Sequence, residues 1–367
     1  MKRFFFFALV TASLLSCTRK VDTRFRPAEG NQYAAGFCLH DSADCCIATV
    51  FSPWDRTQVM ARYVLSDSHA DGRVNRVAVT SCTHVGMLAA LNRLDCLVGV
   101  CQPSLVYTDL SDCPSAGEPT FDVGDGMNPS VERLLMTHPD AVMLSIFAAD
   151  DPVSKRLEKL GVRVIYNNEW MESHPLARAE WIRLIGAFVG RRHEADSIFN
   201  VVVAHYKTLC AEARYRQQRV RTQPSIFSGQ DFRGTWYVPS GDTYMGMLFA
   251  DAGASYAYAD DHHEGSVPLT MEQALQVFAD ADVWVGVNAR TMEELRLASE
   301  KHTWLKAYKT GRVYNFLKRS TPDGANDFWE RGVVHPEEIL SDLIEVLYPP
   351  KKAVNVKLYY IEPLRTN

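Results

Sequence analysis

The sequence predicts an α/β protein of two Rossmann-like lobes. Each lobe is expected around a central parallel sheet, with one long rigid α-helix joining them and a ligand cleft between. Three observations carry that expectation. Short apolar strands alternate with amphipathic helices from Arg73 to Asn167. Two helical stretches then run without a strand to Gln218. The strand–helix rhythm restarts at Pro224. Alternation of this kind is the signature of parallel sheets with helices on their faces.

In lobe one, "RVNRVAVTS" reads as a buried strand and "THVGMLAALNRL" as a helix with Thr83 as a candidate N-cap. "CLVGV", "DAVMLSI" and "VRVIYN" are the further strands, and "NPSVERLLMTH" and "VSKRLEKLG" the helices between them. "HPLARAEWIRLIGAFVG" begins a helix at Pro175, and its His174, Glu180 and Trp181 read as structural buttresses rather than chemistry. In the second stretch Ala195, Ile198, Phe199, Val202, Tyr206, Leu209, Cys210 and Ala213 share one face at 3-and-4 spacing. A helix over 192–218 would span about 40 Å. In lobe two "PSIFSG", "SYAYA", "VWVGV" and "RVYNF" read as strands. "TYMGMLFADAG", "TMEQALQVFADA" and "HPEEILSDLIEVLY" read as helices. The domain boundaries follow: a lobe over 33–191 with a β-rich N-terminal extension ("CCIATVF", "ARYVLS"), a connecting helix over 192–219, and a second lobe over 220–367.

The first residues are of another kind. Lys2 and Arg3 precede an apolar run, Phe4 to Leu15, that is short of the roughly 20 residues needed to span a bilayer. The pattern is that of a secretory signal. Leu14-Leu15-Ser16-Cys17 resembles a bacterial lipobox, which implies a signal peptide over 1–16, lipidation of Cys17 and a tether over 17–32. Removing Lys2 and Arg3 lowers the 39 basic residues to 37 against 44 acidic ones, a net charge of −7. No basic stripe suggests nucleic acid. The composition, 47% hydrophobic and 23% charged, is ordinary for a globular chain. Apart from Cys17, eight cysteines remain, and an exported compartment permits disulfides. Cys38 with Cys45 or Cys46, and Cys101 with Cys113, are plausible local closures, although eight cysteines allow 105 pairings.

Six segments in order resemble the substrate-binding lipoproteins of ABC importers for vitamin B12, ferric siderophores and haem, most closely the iron-complex binding proteins of Bacteroides-like bacteria. They are "VAVTSCTHVGMLAALNRLDCLVGV", "MNPSVERLLMTHPDAVMLS", "HPLARAEWIRLIGAF", "WYVPSGDTYMGMLFADAGASY", "SVPLTMEQAL" and "NDFWERGVVHPEEILSDLIEVLYP". The resemblance covers residues 33–350. It implies a monomeric, non-catalytic binding protein with no resident cofactor, tied to the membrane by its lipid, that hands a metal chelate to an ABC permease dimer. It further implies one permease-docking acid per lobe, Glu132 in "NPSVERLL" and Glu272 in "LTMEQAL". A carboxylate in the first turn of a helix is favoured by the helix dipole and can take a bidentate arginine.

In such a fold the ligand lies against loops at the C-terminal ends of the strands. Those loops hold Thr83, His84 and Asp122 in lobe one and Trp236, Tyr237, Tyr244 and Trp329 in lobe two. Aromatic faces suit a corrin, porphyrin or catecholate ring. His84 is open to three readings: a ligand to iron or cobalt, a hydrogen-bond donor to the ligand, or a helix cap. Two other functions compete. A binding protein for free Zn²⁺ or Mn²⁺ would use the run Asp260-Asp261-His262-His263-Glu264. An exported hydrolase would use Asp122 with Asp125, or Asp260 with Asp261. The run reads better as a solvated loop before a helix opened by Thr270 and Gln273 at capping-box spacing.

Overall fold

The computed structural model describes residues 26–42, 45–65, 73–118, 121–263, 265–350 and 357–366. The expected signal peptide, Cys17 and most of the tether lie outside the described residues.

The chain enters through a three-stranded antiparallel sheet, β1 (Phe37–Ser42), β2 (Cys45–Phe51) and β3 (Val59–Leu65), with β2 in the middle. Cys46, Ala48 and Val50 alternate inward from β2, the period that a half-buried strand requires. The sheet is fastened to lobe one where the Tyr63 hydroxyl donates to the carbonyl of Val164, 2.9 Å away. Its register corrects one expectation. Cys38 lies opposite Thr49, whereas Cys46 lies opposite Asp41 and Cys45 opposite Ser42. Three or four residues of ladder place these sulfurs roughly 10 Å or more apart, beyond disulfide reach. All eight described cysteines, Cys101 and Cys113 included, are thiols.

Lobe one follows as β4 (Val77–Val79), α1 (Cys82–Ala90), β5 (Leu97–Val100), a short hairpin β6 (Gly124–Asp125) and β7 (Asn128–Pro129), α2 (Val131–Met136), β8 (Ala141–Leu144), α3 (Pro152–Lys159) and β9 (Arg163–Tyr166). Its four-stranded sheet, in the order β5-β4-β8-β9, is parallel throughout. Every residue of β4, β5 and β8 is buried. That is why these strands appear in the sequence as unbroken apolar runs.

Two antiparallel helices come next, α4 (Pro175–Val189) and α5 (Arg192–Gln217). Gly190 turns the chain between them at φ 69°, a conformation that favours glycine. At 26 residues α5 is the long helix the spacing predicts, and Ala195, Phe199, Val202, Tyr206, Cys210 and Ala213 form its buried stripe. α4 is buried along nearly its whole length. Its Glu180 accepts backbone N–H groups from Gln32, Tyr33 and Ala34 at 2.7–2.8 Å. The segment read as tether is therefore pinned from residue 32 onward.

Lobe two contains β10 (Ile226–Ser228), β11 (Asp231–Phe232), β12 (Thr235–Pro239), α6 (Tyr244–Asp251), β13 (Ser266–Leu269), α7 (Met271–Phe278), β14 (Val283–Val285), α8 (Met292–Ala298), α9 (Lys306–Lys309), β15 (Tyr314–Asn315), α10 (Arg331–Val334), α11 (Pro336–Leu347) and β16 (Glu362–Pro363). β10 and β14 pair in parallel, and single parallel bridges at Ser255 and Val313 widen this sheet on both sides. Of the strand expected in "SYAYA", only Ser255 makes a bridge, and Tyr256 to Ala259 form turns. An antiparallel sheet β11-β12-β13 stands beside it. Phe227 joins the two layers, stacking on Trp284 at 5.2 Å and on Phe278 at 4.8 Å with Trp236 alongside.

Candidate ligand site and docking face

At the strand ends of lobe one, Ser81 caps α1 by accepting the N–H of Thr83 at 3.2 Å. The Thr83 hydroxyl donates to Oε1 of Glu169, 2.6 Å away, so α1 is tied to the loop after β9. Glu169 is buried, and desolvation raises its pKa above the ordinary carboxylate range. Its other oxygen, Oε2, has no hydrogen-bond partner and lies 4.0 Å from Nε2 of His84. In the same loop Trp170 packs on Phe147 from the loop after β8, with ring centres 5.2 Å apart. Arg178, in the second turn of α4, donates through Nε to the carbonyl of Glu172 and through Nη2 to that of Trp170, both at 2.8 Å. Its guanidinium then lies over the Tyr244 ring of lobe two, 4.3 Å from the centroid. A continuous chain of contacts thus runs from Thr83 through the junction to α6.

The residues expected to line the cleft divide. Thr83 and Tyr244 belong to this chain. His84 does not face a cleft. It is fully enclosed, Nε2 sits 3.2 Å from the Ser145 hydroxyl, and desolvation pulls its pKa down to about 3. The first turn of α1 points it into the core beside Met87 and Asn167 rather than outward. Trp236 is likewise enclosed, its indole N–H donating to the Ser228 carbonyl at 3.0 Å. Alternation along β12 explains the contrast with Tyr237, which is 52% exposed on the other face. Trp329 is 46% exposed and sits edge-on to Phe328. Asp122 borders an open hollow of about 470 Å³ on lobe one that also involves Pro103, Thr108, Asp109, Ser111 and Phe121. The hollow adjoins the other lobe at Thr108, whose N–H donates to Glu330.

The two docking candidates occupy equivalent places. Glu132 is the second residue of α2, after the N-cap Ser130, and Glu272 is the second residue of α7, after the N-cap Thr270. Thr270 and Gln273 close a reciprocal capping box. Both acids are exposed, and each pairs with a cation from a neighbouring helical segment: Glu132 with Arg156 at 2.6 Å, Glu272 with Lys301 at 2.8 Å. For Glu132 the N–H groups of the helix start lower the pKa most, and for Glu272 the Lys301 hydrogen bond does.

The profile of the family described as "Periplasmic binding protein" matches residues 77–319, about two thirds of the chain. The chain belongs to this family. It is similar to an uncharacterized lipoprotein of Methanocaldococcus jannaschii, 22% identical over 287 residues, which cover 75% of this chain and 66% of that one. Among solved structures, a periplasmic haem-binding protein of Pseudomonas aeruginosa is 19% identical, with a TM-score of 0.58 over 80% of this chain and 99% of that one. A periplasmic vitamin B12 binding protein of Vibrio cholerae is 14% identical, with a TM-score of 0.53 over 75% and 96%. At these identities the likeness is one of fold.

In this periplasmic binding protein the acids that a hydrolase or bare-metal reading would recruit are spent on turns. Asp122, Asp125 and Asp261 each accept the N–H two residues on, from Gly124, Met127 and His263. His262 pairs with Asp242, and Glu264 lies outside the described residues. Among the described residues no three His, Cys, Asp or Glu side chains gather as a metal set, and no helix is long and apolar enough to cross a membrane. Sequence reasoning missed Phe147, Trp170 and Arg178. Their placement was within reach for the two aromatics, since both follow predicted strands on the C-terminal side.

Proposed function

We propose that this protein is an exported, lipid-anchored substrate-binding protein. It captures a metal chelate (cobalamin, a ferric siderophore or haem) and delivers it to an ABC permease dimer. The observation that carries the reading is the equivalence of Glu132 and Glu272. The two lobes present an exposed carboxylate at the same position of a helix start, which is what a two-subunit partner with one arginine per subunit requires. The haem- and B12-binding names of structures sharing the fold support the ligand class.

The decisive experiment reverses both charges, Glu132→Arg with Glu272→Arg. Uptake should fall to background while the affinity for the chelate stays within about twofold. A loss of chelate binding instead would place these acids in the ligand site and remove the docking assignment. Replacing Cys17 with Ala should release the protein from the membrane fraction with its chelate affinity intact.

A further inference from the structure

A cation shielded from water is costly unless a counter-charge stands beside it. Arg183, Arg216, Arg319 and Arg331 obey this rule, each forming a close ion pair with a carboxylate. Arg178 does not. Its described partners are two backbone carbonyls and the face of Tyr244. Desolvation is strong enough there to lower even a guanidinium. The nearest acids are committed elsewhere. Glu172 Oε1 accepts the N–H groups of Ala35 and Gly36 at 3.1 and 2.7 Å, and Glu169 Oε1 accepts the Thr83 hydroxyl.

The position of Arg178 says what is missing. It joins the loop after β9, the start of α4 and the first turn of α6, the place where the two lobes meet. Nε and Nη2 are used, and Nη1 has no partner among the described residues. Trp170, whose carbonyl Arg178 holds, also carries an indole N–H without a partner. The Phe147 ring against it is 44% exposed. One guanidinium edge, one spare N–H donor and an aromatic pair therefore stand together.

We propose that Arg178 anchors an anion subsite at the lobe junction, and that the ligand bears a carboxylate or similar anionic oxygen beside a flat ring held by Phe147 and Trp170. The guanidinium fork is shaped for such a group, and its rigid mounting on two carbonyls removes the entropy cost of ordering it on binding. The proposal rests on the metal-chelate reading and narrows it. Chelates with anionic periphery are selected over corrinoids, whose periphery is neutral amide.

The test titrates the wild type, Arg178→Met and Arg178→Lys with four probes: hemin, hemin dimethyl ester, ferric enterobactin and cyanocobalamin. Thermal melting checks that each variant is folded. An anionic probe should bind the wild type most tightly, and added salt should weaken it. Arg178→Met should weaken that probe about 10- to 100-fold, the size of one charged hydrogen-bond pair. Arg178→Lys should recover most of the loss, and the neutral probes should respond to neither change. Preference of the wild type for cyanocobalamin or for the ester overturns the anion subsite and leaves the chelate reading standing. So does an equal loss for charged and neutral probes, which would mark Arg178 as a purely structural support. Should Arg178→Met fail to fold, the hemin-to-ester ratio and the salt dependence of the wild type decide. If none of the four probes binds, the chelate reading falls and takes the subsite with it.

Discussion

His84 enters the core uncharged. Its surroundings offer the Ser145 hydroxyl at 3.2 Å and a carboxylate oxygen at 4.0 Å, too little to compensate an imidazolium. The folded protein therefore resists protonating it down to about pH 3, whereas the unfolded chain takes up the proton near pH 6.5. The unfolded state binds more protons in that window, so stability rises with pH there. The neutral imidazole contributes in full above pH 6.5, and its contribution is lost as pH falls toward 3. Urea unfolding at pH 7 and pH 5 should show the wild type losing on the order of 2 kcal/mol more than His84→Gln. Equal losses would mean that the ring is open to water, as a cleft ligand would be. Arg178 is the converse residue. A basic side chain in "HPLARAEW" looks like any helix-surface cation, because the absence of a counter-charge is a property of the fold and cannot be read from the neighbours in sequence.

Several elements are fastened by carboxylates that collect consecutive backbone N–H groups. Glu180 and Glu172 of the α4 region hold residues 32–36, and Asp342 of α11 holds Tyr359, Tyr360 and Ile361 at 2.7–3.0 Å. Irregular segments without a ladder of their own gain their hydrogen bonds this way. Glu180→Ala leaves three amides and Arg183 without their acceptor. It should cost about 2–4 kcal/mol, and hydrogen exchange should quicken at Gln32, Tyr33 and Ala34 while β4 and β8 stay protected. Unchanged exchange at those three amides would show that the segment is held by packing alone. The same contrast explains what the sequence discloses about elements. The parallel strands of lobe one and the helix α5 were legible because each is specified by its own run or its own 3-and-4 period. The sheet β11-β12-β13 was not, since Trp236 pairs with Leu269 across more than thirty residues and "SVPL" has no strand-like alternation. "SYAYA" misled for the opposite reason: its alternating aromatics are packed by Phe249 and Tyr258 within turns. Phe147 and Trp170 meet only because β8 and β9 are neighbours.

Over the whole molecule the long α5 is not the sole link between lobes. A seam runs beside it, and its centre is Glu330, enclosed at the start of α10. Its carboxylate reaches across to lobe one and accepts the N–H groups of Tyr107 at 2.6 Å and Thr108 at 2.9 Å. Arg319 lies over the Tyr107 ring and pairs with the buried Asp327. α1 comes so close that a Cβ on Gly86 would stand 2.6 Å from the Glu330 carbonyl oxygen. A stiff helix and a hydrogen-bonded seam together leave room for a small hinge movement and not for wide separation. The seam gives the last prediction. Glu330→Ala strands two enclosed amides and opens a cavity, which should lower stability by about 2–4 kcal/mol. The loss should be uneven. Amides 107 and 108 should lose hydrogen-exchange protection, and spin labels placed one on each lobe should report a broader distance distribution. Glu330→Gln keeps the volume and one acceptor oxygen, so it should fall between the wild type and Glu330→Ala in both measurements. The order follows from the chemistry of the group: a carboxylate offers two acceptors to two donors, an amide one, a methyl none. A uniform fall in stability with an unchanged distance distribution would mean that packing along α1 and α10 couples the lobes, and that the carboxylate merely fills its place.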